Sequence, residues 1–193
     1  MRSNSVNETF IFISLNKFII ISLNEANKIN YKKETIFKDQ NKKFDLDLFS
    51  EFLNDNIFKI EKELGEFIKG IYLIIENSII YNMSNVGLLA QGSYVYGENN
   101  LFVNCGESLL ALNFGGSYEF NHCTFANFWP YSSRQTPSIF INNYYEDEND
   151  LIQNRDLLKA QFSNCIIDGQ NENEIIFDRN EKSQFNYTFD HCV

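Results

Sequence analysis

Five short runs of similar residues recur along the C-terminal part of the chain, and their spacing constrains the fold more than any other feature. They are Glu76-Asn77-Ser78-Ile79-Ile80, Glu98-Asn99-Asn100-Leu101-Phe102, Asn121-His122-Cys123-Thr124-Phe125, Ser163-Asn164-Cys165-Ile166-Ile167 and Asp190-His191-Cys192-Val193. With the third member of each as reference, positions 78, 100, 123, 165 and 192 are separated by 22, 23, 42 and 27 residues. A repeat of that length suits one circuit of a solenoid with three short strands joined by tight bends.

The apolar pattern around each reference repeats as well. Three and five residues before it stand Ile75 and Leu73, Phe120 and Tyr118, Phe162 and Ala160, Phe189 and Tyr187. Two residues after it stand Ile80, Phe102, Phe125 and Ile167. Ten residues after it a further strand begins at Leu88, Leu110 and Ile175; in the third repeat the matching strand, Ser138 to Ile141, comes six residues late. Side chains that alternate inward and outward at a fixed offset are what a wall of stacked strands requires.

Two columns follow from this register. The residue before the reference is Asn77, Asn99, His122, Asn164 or His191, and a bend is expected there, because Asn tolerates left-handed geometry and bonds local backbone. The reference column ends in Cys123, Cys165 and Cys192. Strands stacked about 4.8 Å apart would place these thiols above one another inside the wall, where cysteine acts as a small hydrophobe. The even count of four cysteines, with Cys105 the fourth, permits disulfides, but the column favours free stacked thiols. No C-x-x-C pair is present, which argues against zinc, and no metal or cofactor is expected.

These features predict an all-β right-handed parallel β-helix over residues 70–193. Residues 1–69 form a separate region, read as a hairpin plus an amphipathic helix that could cap the solenoid. Phe10 to Asn16 and Phe18 to Asn24 echo each other and read as paired strands around Asn16-Lys17. Residues 25–44 are polar and lysine-rich and read as loop. Phe49, Leu53, Ile57, Ile60, Leu64 and Phe67 trace one helix face, Gly70 is placed as its C-cap, and Asn54-Asp55-Asn56 is a point at which it can break in two.

The runs Gly70–Leu73, Asn77–Ser93, Asn104–Trp129, Ser133–Tyr145, Phe162–Asp178 and Phe185–Cys192 resemble the right-handed parallel β-helix repeat proteins of bacterial cell surfaces, often lipoprotein-like, whose fold is shared with pectin lyases. The resemblance implies an exported or cell-surface address and says little about chemistry. It also implies a longer relative, so a truncated member is expected. Thr9 to Leu23 is too short and polar for a membrane span and lacks a signal-peptide cleavage pattern.

Net charge of −10 at pH 7 disfavours nucleic acid, which needs clustered Lys and Arg. The expected function is a non-catalytic surface module binding carbohydrate or a surface protein. The alternative is a fragment of a polysaccharide lyase or glycoside hydrolase. Such enzymes need paired carboxylates or a carboxylate with a nearby base, whereas Asp168 and Asp178 each stand alone. His122 and His191 fall in the bend column and read as structural.

The third repeat carries two insertions, and long loops on a rigid scaffold are where sites usually sit. The first, Phe128 to Pro137, supplies the candidate ligand-binding residues Trp129, Tyr131, Arg134 and Gln135: an aromatic platform beside a guanidinium suits a sugar. The competing and favoured reading packs the aromatics onto the repeat and uses Arg134 to tie the loop down. The second, Asn142 to about Lys159, contains Glu146-Asp147-Glu148-Asn149-Asp150. It lacks the EF-hand pattern and reads as a solvated acidic loop. Asn7, Asn82 and Asn186 begin glycosylation sequons of the kind that Asn-rich chains produce by chance.

Overall fold

The computed structural model describes residues 8–14, 17–24, 26–36, 46–64 and 71–193. Asn7, Asn16, Phe67 and Gly70, each given a role above, lie outside the described residues. The chain divides into two compact units, Met1–Ile74 and Ile75–Val193.

In the first unit, β1 (Glu8–Ser14), β2 (Lys17–Leu23) and β3 (Ile29–Ile36) pair antiparallel, and α1 spans Leu46–Leu64. Strict alternation puts Ile11, Phe18 and Ile20 on one face of the sheet, and the helix buries Phe52 and Ile60 against them. Phe18 meets the rings of Phe49 and Phe52 at 4.5 and 5.9 Å. Two expectations are corrected. The polar stretch after residue 25 contains β3, whose exposed Lys32, Lys33 and Glu34 are the charges that protect an edge strand from further pairing. The helix also does not break at Asn54-Asp55-Asn56. Asn56 is buried, donates to the carbonyl of Phe52, and accepts from the Tyr31 hydroxyl at 2.7 Å, so its amide is satisfied within a continuous helix.

The second unit is built from three parallel sheets visited in rotation. The first repeat supplies β4 (Ile71–Glu76, which runs across the boundary between the units), β5 (Ile79–Tyr81) and β6 (Leu88–Gln91). The second supplies β7 (Tyr94–Glu98), β8 (Leu101–Val103) and β9 (Leu110–Asn113). The third supplies β10 (Gly116–Asn121), β11 (Thr124–Asn127) and β12 (Ile139–Asn142). A hairpin of β13 (Tyr144–Glu146) and β14 (Ile152–Asn154) follows, then β15 (Leu157–Ser163), β16 (Ile166–Gly169), β17 (Ile175–Asp178) and β18 (Phe185–Asp190). The sheets run β18-β15-β10-β7-β4, β16-β11-β8-β5 and β17-β12-β9-β6; they are called A, B and C below.

The strand register agrees with the one read from the sequence. Ile80, Phe102, Phe125 and Ile167 are successive partners in sheet B, and Phe120, Phe162 and Phe189 in sheet A. Their rings stack inside: Phe102 on Phe125 at 5.2 Å, Phe120 on Phe162 at 5.3 Å, and Phe162 on Phe189 at 4.7 Å. Gly97 takes the place of a phenylalanine in the sheet A column. A Cβ there would lie 2.5 Å from Phe120 Cδ1, so the glycine makes room for the ring of the next repeat.

The bend column is left-handed throughout: φ is 50° at Asn77, 53° at Asn99 and His122, 54° at Asn164 and 51° at His191. Asn and His are among the few residues that enter this region at modest cost. The ladder continues through the bend, with the amides of Asn77, Asn99, His122 and Asn164 donating to Glu98, Asn121, Ser163 and Asp190. Asn100, in the reference column, is buried and works in both directions: its Oδ1 accepts from the amide of Ser78, and its Nδ2 donates to the carbonyl of Ile75.

All four cysteines are free. Cys165 Sγ reaches the carbonyl of Phe120, and Cys192 Sγ that of Phe162, each at 3.5 Å and each one repeat back, so Cys123, Cys165 and Cys192 form a vertical column. The Cys123 thiol donates to the carbonyl of Asn121 and that of Cys165 to the carbonyls of Phe120 and Ser163; the adjacency of the two thiols lowers Cys123 and, with burial, raises Cys165. Burial pushes Cys105 and Cys192 up.

Candidate functional site

The first insertion leaves β11 at Phe128 and returns to β12 at Ser138. Its four candidate residues separate into two groups. Arg134 points inward and its side chain is fully buried. Its guanidinium donates to the carbonyls of Thr136 and Asn127 and pairs with the carboxylate of Glu174, from the bend before β17. Glu174 also accepts from the amide and hydroxyl of Ser138 at 2.8 and 2.6 Å and from the amide of Asn171 at 2.8 Å. Burial alone would raise the Glu174 carboxyl. The bonds from Arg134, Ser138 and Asn171 outweigh it and hold the group below its ordinary range. Arg134 therefore ties the loop to the next repeat from beneath, and its guanidinium is not presented to solvent.

Trp129, Tyr131 and Gln135 lie on the outer side. Tyr131 is 73% exposed and meets Trp129 edge to face, with ring centroids 4.8 Å apart and planes at 70°. Trp129 Nε1 donates to Ser132 Oγ at 3.0 Å, and its carbonyl accepts from Gln170 Nε2 at 3.2 Å. The indole lies over Gly106 of the second repeat, where a Cβ would come 3.4 Å from Cε2. Gln135 is exposed and bonds to Ser133 Oγ at 3.1 Å. The indole is thus half-buried, close to Gly106 and in contact with the ring of an exposed phenol.

The loop borders a surface that the sequence reading did not single out. On the outer side of sheet B, Ile79, Leu101, Thr124 and Ile166 are in register, as are Tyr81, Val103, Ala126 and Asp168. Phe128 continues the outward alternation of β11 past Ala126 and is 47% exposed. The signal was present in the sequence as the residue following each reference position, which is apolar in four of the five runs and threonine in the third.

The second insertion is ordered as the β13–β14 hairpin rather than an irregular loop. Asp147 Oδ1 accepts from the amides of Asn149 and Leu151, and its Oδ2 from Gln153 Nε2. These bonds, led by the Asn149 amide, hold its carboxyl low. The acidic run is therefore a hairpin tip whose first carboxylate organises the turn. Among the described residues, no group of three or more His, Cys, Asp or Glu is arranged to hold a metal ion, and no helix is long and apolar enough to cross a membrane.

The other isolated residues are placed separately. Asp178 accepts from the Tyr144 hydroxyl at 2.9 and 3.0 Å, while Asp168 Oδ1 accepts from the following amide of Gly169. His191 Nδ1 pairs with Asp190 at 2.8 Å at an exposed corner, and His122 occupies the same bend two repeats earlier. No known protein family, curated protein or solved structure matches this chain.

Proposed function

We propose that the second unit is a right-handed parallel β-helix acting as a non-catalytic binding module, and that it takes carbohydrate on the exposed face of Trp129 and Tyr131. Support for the β-helix comes from the three parallel sheets visited in strict rotation, since crossovers between parallel strands are right-handed in nearly all proteins. The observation that carries the binding reading is the Trp129–Tyr131 pair, held over Gly106 on a loop anchored by buried Arg134. Open aromatic faces stack on the C–H faces of sugar rings, and a rigid platform loses little entropy on binding. Arg134 acts as the anchor, and Gln135 supplies an exposed amide beside the platform. By its resemblance to surface proteins, such a module would work outside the cell or at its surface.

The test is a glycan array probed with the full chain, with Trp129→Ala and Tyr131→Ala. The wild type is expected to retain a defined set of glycans and each variant to lose them. Equal retention by both variants, or no glycan retained by the wild type, would refute the reading.

A further inference from the structure

We infer that the carbohydrate surface extends from the Trp129 loop across the outer side of sheet B, and that its ligand is a neutral polysaccharide chain rather than an acidic one. The inference rests on the carbohydrate reading above and adds the class of ligand and the second half of the site.

The first support is register. Ile79, Leu101, Thr124 and Ile166 form one outward column and Tyr81, Val103, Ala126 and Asp168 the other, so the side chains are aligned in a strip that is mostly apolar, interrupted by the hydroxyl of Thr124 and ended on one side by Asp168. Ile79 is 57% exposed, Ile166 49% and Tyr81 46%. Phe128 joins the strip to the Trp129 platform through the end of β11.

The second support is charge. In a chain with a net charge of −10, the strands of sheet B carry one ionisable group, Asp168, apart from the phenol of Tyr81, and no lysine or arginine. The nearby loop cation, Arg134, is buried and occupied by Glu174. An acidic polymer would find no cation on this strip and would meet the repulsion of the whole chain. A neutral chain meets no such barrier.

The third support is size. Four strands at about 4.8 Å spacing and two columns about 7 Å apart give a strip about 14 Å long, far smaller than the roughly 800 Å² per partner of a stable protein interface. A second copy of this chain would gain too little there. A linear ligand one sugar wide fits, packing its rings on aliphatic side chains in the strip and on the aromatic rings at its end.

The closing experiment is cosedimentation of the full chain with amorphous cellulose, chitin and polygalacturonate. It compares wild type, Trp129→Ala, and a strip variant carrying Ile79→Thr, Leu101→Thr and Ile166→Thr. Threonine already occupies this column at Thr124, so the strip variant places in the strands a β-branched side chain that the column accommodates. A single Leu101→Lys variant, checked for native circular dichroism, provides a second way of spoiling the strip. The expected result is retention on at least one neutral polymer, none on polygalacturonate, and about tenfold weaker binding in both strip variants. If Trp129→Ala abolishes binding while both strip variants bind like wild type, the extension over sheet B is wrong and the loop reading stands. Binding to polygalacturonate alone overturns the ligand class. No retention on any polymer removes both readings. A wild type that sediments as a dimer and strip variants that sediment as monomers would assign the strip to self-association instead.

Discussion

Replacing Arg134 tests whether the aromatic loop is held by a buried ion pair. In an Arg134→Met variant the side-chain volume is roughly kept, but Glu174 loses its cation while its carboxylate stays largely covered, with a side chain 11% exposed. Leaving one member of a buried pair unpaired destabilises by about 3–5 kcal/mol. Glu174 keeps its bonds from Ser138 and Asn171, so the lower end, about 3 kcal/mol, is expected. For a chain of this length that corresponds to a melting temperature lower by about 6–12 °C.

The pH dependence separates electrostatics from packing. In the wild type the Glu174 carboxyl is held below its ordinary value of 4.5. Its stabilising contribution is therefore full above that value and is lost as pH falls through the depressed folded value. In the variant, burial without the guanidinium reverses the shift, so protonation on acidification relieves the buried charge. The stability gap between the two proteins should be widest at pH 7 and should shrink by pH 4, as measured by urea unfolding across that range. An additional Glu174→Gln substitution in the Arg134→Met background should recover part of the loss, because the two sites are coupled. A gap that stays constant from pH 7 to pH 4 would show that Arg134 acts through packing alone.

Three further outcomes follow from the repeat. Gly97→Ala places a Cβ 2.5 Å from Phe120 Cδ1 and should destabilise by about 1–3 kcal/mol, read as a lower urea midpoint; an unchanged midpoint would mean that the Phe120 ring is free to move aside. His122→Asn should be within about 0.5 kcal/mol of wild type, whereas His122→Ala should lose about 1 kcal/mol, because alanine is strained at φ 53°. Equal stability of the two would refute a conformational role for the column. In native protein a thiol reagent should modify Cys192 quickly and Cys105, Cys123 and Cys165 only on unfolding, given the burial of those three; mass spectrometry of modified peptides reads this directly.

The parts of the fold that were legible in the sequence are those that repeat. A single occurrence of Asn-Cys-Ile-Ile says little, but five related runs, each followed by the same apolar offsets, imply a shared backbone state, and the left-handed φ values from Asn77 to His191 are that state. The elements read differently are single-copy. β3 was hidden by its lysines, which mark it as an edge strand. Helix α1 is continuous at Asn56 because of Tyr31, twenty-five residues away in sequence. The β13–β14 hairpin interrupts the repeat and so has no counterpart to align with. The site was legible in part for the same reason. The insertion was visible as a delay in the third repeat, but Glu174, forty residues from Arg134, could be recognised as its partner only once the register placed their bends together.

The inner columns and the outer faces of the second unit are suited to different tasks. Phe102, Phe120, Phe125 and Phe162 are fully buried and in mutual contact, so no ligand enters between the sheets without dismantling the stack. A ligand of this unit would therefore meet its outer faces. The two outer faces named here differ in chemistry: sheet A carries Glu119 paired with Lys159 and Tyr96 bonded to Glu98, so its polar groups already satisfy one another. Sheet B presents Ile79, Leu101, Val103 and Ile166 outward with one carboxylate, Asp168, and the third repeat extends its aromatic loop at the end of that face. An insertion anchored inward by a charge pair and aromatic outward lengthens an apolar surface without adding charge to it, which is the physical basis for the proposal that this side of the molecule takes neutral carbohydrate.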